Sequence, residues 1–318
     1  MSNQVNDVEH SSLIMLIGSN PMANYLVAAT WFKNAAKRGA KFVLCDSRKT
    51  EISKHAWRTM QFKPDTDVAM LNAMIYTIIE EGLADKDFIA NRANNYEALK
   101  ENIKGYSPEA MAPIWGIPAE ILREVAREFA TTKSAMILWD MGVSQHVHGT
   151  DNARCLIALV SITGQIGKPG SGLHPLRGQN NVQGSAHMGC EPNNLTGFVS
   201  LAQGRELFER VWHASLPENA GLNLMQMIDE AAAGCLKALW AIGYDLLLTN
   251  ANVHTTRHAL QQLELVIVQD MFLNETAKEF ADVFFPAASS FEKDGTFMNA
   301  ERRVQRVRQA VAPLGEAK

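Results

Sequence analysis

The sequence predicts an α/β protein made of two similar halves, each with a mostly parallel sheet. Short apolar runs that end in a polar turn are followed by helical segments and then by further apolar runs, which is the order of βαβ units. The same order occurs near both ends of the chain, whose 318 residues suffice for two domains. We expect one domain over residues 1–179 and a second, incomplete one over 180–318.

The first βαβ unit lies near the start of the chain. Residues 13–17 are all apolar and end at Gly18, as expected for a parallel strand that is buried on both faces. An alanine-rich helix over 25–38 follows, and a second strand over 41–45 ends at Asp46. The connection between the two strands is therefore predicted to be a right-handed crossover.

Further elements complete the first half: helices over 68–81 and 119–131, a strand over 135–139 and a helix over 152–163. Met70, Met74 and Ile78 recur at helical spacing in the first of these helices. A stripe of this kind is typical of a helix face that packs into the core, so we assign it to the core rather than to a cofactor.

The segment 164–197 differs from its surroundings because it is rich in glycine and in Asn and Gln side chains. A long segment without secondary structure in a compact protein is usually functional or disordered. Its amides and its central Arg177 favour a segment that lines a ligand site. An interdomain linker is the alternative.

The last third of the chain repeats the plan of the first. A strand over 236–242 ends at Gly243, a helix follows over 255–263, and a strand over 264–268 leads to Asp270. Gly18 precedes Asp46 by 28 residues and Gly243 precedes Asp270 by 27. The repeated order predicts two sites of similar geometry.

The chemistry of these turns favours a nucleotide. A glycine directly after a strand lets backbone N–H groups approach a pyrophosphate. An acidic residue at the end of the next strand can accept hydrogen bonds from ribose hydroxyls or from a guanine edge. Neither half contains the full GxGxxG pattern, so an ordinary NAD site is poorly supported.

Composition excludes several other classes. A net charge of −4 provides no basic field for nucleic acid, and no apolar run is long enough to span a bilayer. The polar first ten residues do not resemble a signal peptide, which predicts a soluble, cytoplasmic protein. The four cysteines form no CxxC pair, so we expect buried free thiols rather than ligands to a metal or cluster.

One segment resembles a known family over its whole length. Residues 175–184, with the sequence PLRGQNNVQG, are similar to the arginine loop of molybdenum- or tungsten-dependent formate dehydrogenase catalytic subunits. Other segments resemble the same family in the same order: IGSNP at 17–21, CDSRK at 45–49, KPDTD at 63–67, MGVSQ at 141–145, HGTDN at 148–152, TGQIGKPG at 163–170, LVIVQD at 265–270 and ADV at 281–283. The resemblance covers nearly the whole chain.

The resemblance implies two Rossmann-like lobes, the central domains of the DMSO reductase-like superfamily, that hold a bis-(molybdopterin guanine dinucleotide) cofactor with Mo or W. One guanosine diphosphate arm is then expected at Gly18, Asn20, Asp46, Ser47, Arg48 and Asp67. The other arm is expected at Gly243, Asp245, Thr249, Gln269 and Asp270. Gln145 and Gln179 are expected near the pterins, and Met141, Gly142 and Gly178 are expected to bind the cofactor as well.

Arg177 is the one catalytic residue that the resemblance implies. Its planar guanidinium can donate to both oxygens of formate, which lysine cannot do. The family's metal ligand, a cysteine or selenocysteine followed by histidine, is absent from these 318 residues, as is the [4Fe–4S] cluster site. We therefore expect an internal part of the enzyme, inactive by itself, whose intact form passes electrons to partner subunits.

Some positions depart from the family pattern and leave other functions open. Asp140 stands where glycine is commoner, and Ser185, Ala186 and His187 replace the usual acidic continuation. Another molybdopterin oxidoreductase, such as a nitrate reductase, is one alternative, and a cofactor-free scaffold subunit of a respiratory complex is another. His146, His148 and His187 are interpreted as surface or loop imidazoles.

Overall fold

The computed structural model describes residues 1–317, which form two compact units. The first comprises Met1–Asn180 with Ala300–Arg303, and the second comprises Asn181–Asn299 with the chain from Val304 onward. This division falls one residue after the boundary expected from the sequence, apart from the four residues near the C-terminal end. That each unit is a cofactor-binding domain stays a prediction.

A five-stranded parallel sheet forms the centre of the first unit. Its strands are β1 (Leu13–Ile17), β2 (Lys41–Cys45), β3 (Arg58–Met60), β4 (Ala135–Trp139) and β5 (Gly172–Pro175). Their order is β3-β2-β1-β4-β5, and every neighbouring pair is parallel. The three strands predicted in this half, β1, β2 and β4, are confirmed at their predicted bounds. The strand order reverses direction between β1 and β4, which is where open α/β sheets bind ligands.

Nine α-helices surround this sheet: α1 (Pro21–Asn24), α2 (Leu26–Lys37), α3 (Asp67–Glu80), α4 (Lys86–Arg92), α5 (Tyr96–Asn102), α6 (Pro108–Trp115), α7 (Ala119–Thr131), α8 (Met141–Ser144) and α9 (Gly149–Ile162) among the described residues. Short 3₁₀ helices occupy Val5–His10 and Glu51–His55. The predicted helices correspond to α2, α3, α7 and α9. Helix α9 begins three residues earlier than predicted, and α4 to α6 were not predicted.

Both faces of the first sheet are buried. All five residues of β1 are fully buried, and they alternate between two core clusters. Leu13, Met15 and Ile17 pack with residues of α3, α7 and α9, whereas Ile14 and Leu16 pack against α2. The methionine stripe of α3 lies in the first of these clusters, which confirms its assignment to the core.

The second unit contains a smaller parallel sheet. Its helices are α10 (Val182–His187), α11 (Leu201–Trp212), α12 (Leu224–Ala232), α13 (Leu246–Thr249), α14 (Val253–Gln261) and α15 (Glu275–Phe280). Its strands are β6 (Asn194–Leu195), β7 (Val199–Ser200), β8 (Ala238–Ile242), β9 (Leu265–Asp270), β10 (Val283–Pro286), β11 (Gly295–Met298) and β12 (Val304–Val307). Strands β8, β9 and β10 form the parallel sheet in the order β10-β9-β8, while β6–β7 and β11–β12 are antiparallel pairs.

One face of the second sheet is covered and the other is not. Ala241, Val266 and Val268 are buried against α13, α14 and α15. On the opposite face, Ile242 is 62% exposed and Trp240 is 53% exposed. The second sheet therefore differs from the first, whose central strands have both faces buried.

The structure corrects the prediction that residues 164–197 form a continuous loop. Strand β5 lies within this segment and pairs with β4, and α10 and β6 follow it. Strand β5 was missed because only four residues, GLHP, form it between glycine-rich turns. Its extended conformation is stabilised by pairing with β4, which the local sequence does not indicate.

The expectation of four buried cysteines is also wrong in part. All four are free, but Cys190 and Cys235 are exposed, whereas Cys45 is buried. The two exposed thiols lie in turns that follow α10 and α12, where little packs over them. Among residues 1–317, no helix combines the length and apolar character needed to cross a membrane.

Candidate functional site

A cavity of about 330 Å³ lies in the first unit, at the point where the strand order reverses. Its size is in the range of small-molecule sites. Nine of the residues expected at the cofactor line it: Gly18, Asn20, Asp46, Ser47, Arg48, Asp67, Met141, Gly142 and Gly178. The turns after β1, β2 and β4 supply most of them, because the carboxyl ends of parallel strands meet at one edge of the sheet.

Two glycines of the cavity lining are in close backbone contact with each other. The Gly142 N–H donates to the Gly18 carbonyl oxygen at 3.0 Å, and Gly18 has a φ of +58°. A Cβ on Gly18 would lie 2.6 Å from the Gly142 carbonyl carbon, and one on Gly142 would lie 2.5 Å from the Gly18 oxygen. Both positions therefore need glycine for steric reasons.

Asp46 and Asn20 present polar groups to the cavity in different ways. Asp46 is buried, and its Oδ1 accepts a hydrogen bond from the Arg48 backbone N–H at 2.8 Å. Burial raises the pKa of Asp46 above its ordinary value, although Arg48 opposes the shift. The Oδ1 atom of Asn20 is buried and has no hydrogen-bond partner in the part of the chain that the structure describes.

Asp67 is the most perturbed acid of the cavity. It begins α3, is only 2% exposed, and its Oδ1 has no hydrogen-bond partner among the described residues. Burial raises the pKa of Asp67 to about 6, and the nearby Asp65 and Asp46 carboxylates add to the shift. A buried carboxylate without a partner costs free energy, and a donor on a ligand would remove that cost.

The lining of the cavity is mainly acidic. Its ionisable groups are the carboxylates of Asp46, Asp65, Asp67 and Asp140, the guanidinium of Arg48 and the imidazole of His146. Arg48 is exposed, and its backbone N–H rather than its side chain holds Asp46. The lining thus favours a ligand group that donates hydrogen bonds, with an anionic group near Arg48.

Arg177, Gln145 and Gln179 are not among the described residues that line this cavity. Arg177 follows β5, and its Nε is buried without a hydrogen-bond partner in the described part of the chain. The Tyr25 hydroxyl is hydrogen-bonded to the Arg177 backbone, while burial and the Asp140 charge raise the pKa of Tyr25 to about 12. Gln145 and Gln179 are both exposed.

The second unit repeats the turn geometry of the first. The Gly243 N–H donates to the Gln269 carbonyl oxygen at 2.7 Å, as the Gly18 N–H does to the Cys45 carbonyl oxygen at 2.9 Å. Asp270 Oδ1 accepts from the Phe272 N–H at 3.3 Å, and Gly243 has a φ of +62°. Each acidic residue thus closes a turn at the end of the neighbouring strand.

Asp245 differs from Asp67 because both oxygens of its carboxylate already accept hydrogen bonds from the protein. It accepts hydrogen bonds from the Thr276 hydroxyl at 2.6 Å and from the N–H groups of Glu275, Thr276 and Leu248. Burial alone would raise the pKa of Asp245, but these hydrogen bonds outweigh it and hold the pKa below the ordinary value. Thr249, also expected here, is exposed at the end of α13.

The molybdopterin oxidoreductase family profile matches residues 1–318. The chain belongs to this family. The family implies a molybdopterin cofactor, and the resemblance seen in residues 175–184 is confirmed.

Relatives and a solved structure support the assignment. The chain is 44% identical over 317 residues to the F420-dependent formate dehydrogenase subunit alpha of Methanocaldococcus jannaschii, covering all of this chain and 47% of the relative. It is 40% identical over 321 residues to formate dehydrogenase H of Escherichia coli, covering 45% of that protein. The chain therefore spans about half the length of these relatives. Acetylene hydratase from Pelobacter acetylenicus has the same fold, with a TM-score of 0.77 and 24% identity over 99% of this chain and 48% of that one.

The residues of the first cavity fit a part of a molybdopterin cofactor that donates hydrogen bonds. The close approach of Gly18 and Gly142 leaves no room for side chains at the end of the sheet. Asp67 Oδ1 and Asn20 Oδ1 are buried acceptors without partners among the described residues, and hydrogen-bond donors on a bound group would satisfy both.

Three ionisable residues of this lining were not assigned to the site from the sequence: Asp65, Asp140 and His146. Asp140 is buried and caps α8, because its Oδ1 accepts a hydrogen bond from the Met141 N–H at 2.8 Å. Its Oδ2 accepts a hydrogen bond from the Ser19 hydroxyl at 3.3 Å. His146 lies in the loop between α8 and α9, as interpreted, and it also lines the cavity. The position of Asp140 directly after β4 was a usable signal, because polar residues at strand ends gather at the ligand edge. No comparable signal marked His146.

Proposed function

We propose that this chain is the central, cofactor-binding part of a formate dehydrogenase that oxidises formate to carbon dioxide at a Mo or W bis-(molybdopterin guanine dinucleotide) centre. The relatives that it resembles over its whole length are formate dehydrogenases, which favours formate over nitrate as the substrate. The bound cofactor supplies the redox chemistry, and the residues of the chain bind and orient it.

The unpartnered carboxylate of Asp67 is the observation that supports the nucleotide assignment most strongly. Guanine has an N1–H and an exocyclic N2–H₂ on one edge, so a single carboxylate can accept from both. Asp46, at the end of β2, is placed to accept from ribose hydroxyls. Phosphates would be repelled by the acidic lining, so we place them near Arg48 and the backbone of residues 18–20.

The second guanosine arm is assigned to Gly243, Gln269 and Asp270. The support is the repeated turn, in which the glycine N–H binds the strand-end carbonyl in both units. Asp245 shapes this turn through its hydrogen bonds to the start of α15, while Thr249 remains exposed to a ligand.

Arg177 is the residue that we assign to formate. Its Nε is buried and unpartnered among the described residues, and Leu176 just before it is fixed by an N–H bond to the Trp139 carbonyl oxygen at 2.7 Å. The guanidinium holds the two formate oxygens and so orients the C–H bond for oxidation. Gln145 and Gln179 would then contact the pterins.

Three further assignments belong to this proposal. The intact protein would hold a [4Fe–4S] cluster outside residues 1–318 and pass electrons to partner subunits. It would lie in the cytoplasm, since four free cysteines suit a reducing compartment.

Substitution of Arg177 in the intact enzyme tests the proposal. Arg177→Lys retains a charge but loses the two-point contact, so KM should rise and kcat should fall. A lost charge-assisted hydrogen bond of roughly 1.5–3 kcal/mol corresponds to about one to two decades in kcat/KM. Arg177→Ala should be worse, and the cofactor content of both variants should match the wild type.

The assay is formate-dependent reduction of an artificial acceptor, with metal and released guanine nucleotide measured on the same samples. If cofactor content falls together with activity while KM stays normal, Arg177 supports the cofactor and not formate.

A further inference from the structure

His146 contacts two of the turns that line the first cavity. Its Nε2 is 2.9 Å from the Gly142 carbonyl oxygen, in the turn after β4. Its Nδ1 is 3.6 Å from Asp65 Oδ1, in the turn that precedes α3. The imidazole is 27% exposed and therefore spans the cavity rim instead of extending into solvent.

The two contacts involve both nitrogen atoms of the ring. A carbonyl oxygen can only accept, so the Nε2 atom must bear a hydrogen. The Nδ1 atom then pairs with the Asp65 carboxylate when the ring is an imidazolium. Besides Asp65, the charged groups near this pair are the carboxylates of Asp46 and Asp67 and the guanidinium of Arg48.

The turn that His146 contacts determines where Asp67 lies. Asp65 has a φ of +63°, a left-handed conformation that costs a non-glycine residue free energy. Its neighbour Thr66 donates a hydrogen bond to the Lys63 carbonyl oxygen at 2.6 Å, and α3 begins at Asp67. A shift of this turn would move the carboxylate of Asp67.

We infer that His146 is a positioning residue that holds the Asp65 turn against Gly142 and so fixes Asp67 for a guanine nucleotide. The inference rests on the proposed nucleotide site of the first unit. It goes further by assigning to His146 a role that involves no direct contact with the base.

The test uses GDP and ADP as probes, titrated calorimetrically into the 318-residue chain. His146→Ala should weaken GDP binding by about tenfold and ADP binding by less, because only guanine uses the Asp67 carboxylate. A purely structural role would weaken both nucleotides equally. His148→Ala, two residues away and exposed, is the matched control and should change neither affinity.

A double-substitution cycle identifies the partner. Asp65→Asn keeps the left-handed turn, which asparagine tolerates, but removes the charge that faces His146. The His146→Ala/Asp65→Asn protein should bind GDP no more weakly than His146→Ala alone. Additive losses would overturn the inference, as would unchanged GDP binding by His146→Ala.

Hydrogen exchange separates this inference from the proposed function. His146→Ala should accelerate amide exchange at residues 63–67, and His148→Ala should not. If the wild-type chain does not bind GDP but amide exchange accelerates in His146→Ala, the proposed nucleotide site is wrong and the positioning contact is supported. Unchanged exchange overturns the positioning role whatever the nucleotide result.

Discussion

The two units have the same turns but differ in what their carboxylates contact. In both, a glycine N–H binds the carbonyl at the end of the next strand, and the following aspartate closes a turn. Asp67 in the first unit has an unpartnered oxygen, whereas Asp245 in the second accepts four hydrogen bonds. Turn geometry follows local sequence, while the availability of an acid for a ligand depends on the elements packed around it.

The parallel sheets of the two units also differ in how completely their faces are covered. The first has helices on both faces, and the second has an apolar face with Trp240, Ile242 and Phe285 exposed. Parallel sheets are normally covered on both sides. The cavity of the first unit is therefore formed by a complete layer arrangement, whereas the layers of the second unit are incomplete within residues 1–317.

The largest difference should appear when the two turn glycines are replaced. Gly18→Ala adds a Cβ 2.6 Å from the Gly142 carbonyl carbon at a positive φ, so it should lower the free energy of unfolding of the first unit by roughly 3–5 kcal/mol. Gly243→Ala meets no atom within 4 Å and should cost the second unit only about 1–2 kcal/mol. Urea unfolding measures both. Equal losses would show that the two turns are equally constrained.

Asp245→Ala should have an intermediate effect. It leaves the Thr276 hydroxyl and the N–H groups at the start of α15 without their acceptor, so the second unit should lose roughly 2–3 kcal/mol. Thermal unfolding followed by circular dichroism measures the loss. A neutral result would mean that this carboxylate is not part of the fold and remains available to a ligand.

Asp67→Asn should change the free energy of unfolding least, and it should stabilise the first unit instead of destabilising it. The pKa of Asp67 is raised to about 6, so its contribution to stability is greatest below pH 4 and is lost as the pH rises through about 6. Replacing it should raise the free energy of unfolding at pH 7 by about 1–2 kcal/mol and leave it nearly unchanged at pH 4. A destabilised variant at pH 7 would show that the carboxylate is paired.

Local patterns predicted most of the first sheet but not its edge or its partners. Strands β1, β2 and β4 are continuous apolar runs, because both of their faces are buried. Strand β5 has no such run, and its pairing with β4 depends on residues more than 30 positions apart. The exposure of Cys190 and the contact of His146 with Asp65 likewise depend on tertiary packing.

The sites show the same limit. Gly18 and Asp46 follow the ends of predicted strands, whereas Asp67 was indicated only by the family resemblance. The structure gathers all three in one cavity. The sequence could not indicate that the Thr276 hydroxyl would donate a hydrogen bond to Asp245, since α15 lies some 30 residues further along the chain.

Titration of GDP into the wild-type chain and into Asp67→Asn tests most directly whether the first cavity recognises guanine through the carboxylate of Asp67. The wild type should prefer GDP to ADP, and its affinity should rise as the pH increases through about 6, where Asp67 ionises. Asp67→Asn should lose about one to two decades of GDP affinity, from one charge-assisted contact, and retain its ADP affinity. Equal binding of GDP by both proteins, or no preference for GDP in the wild type, would contradict the account.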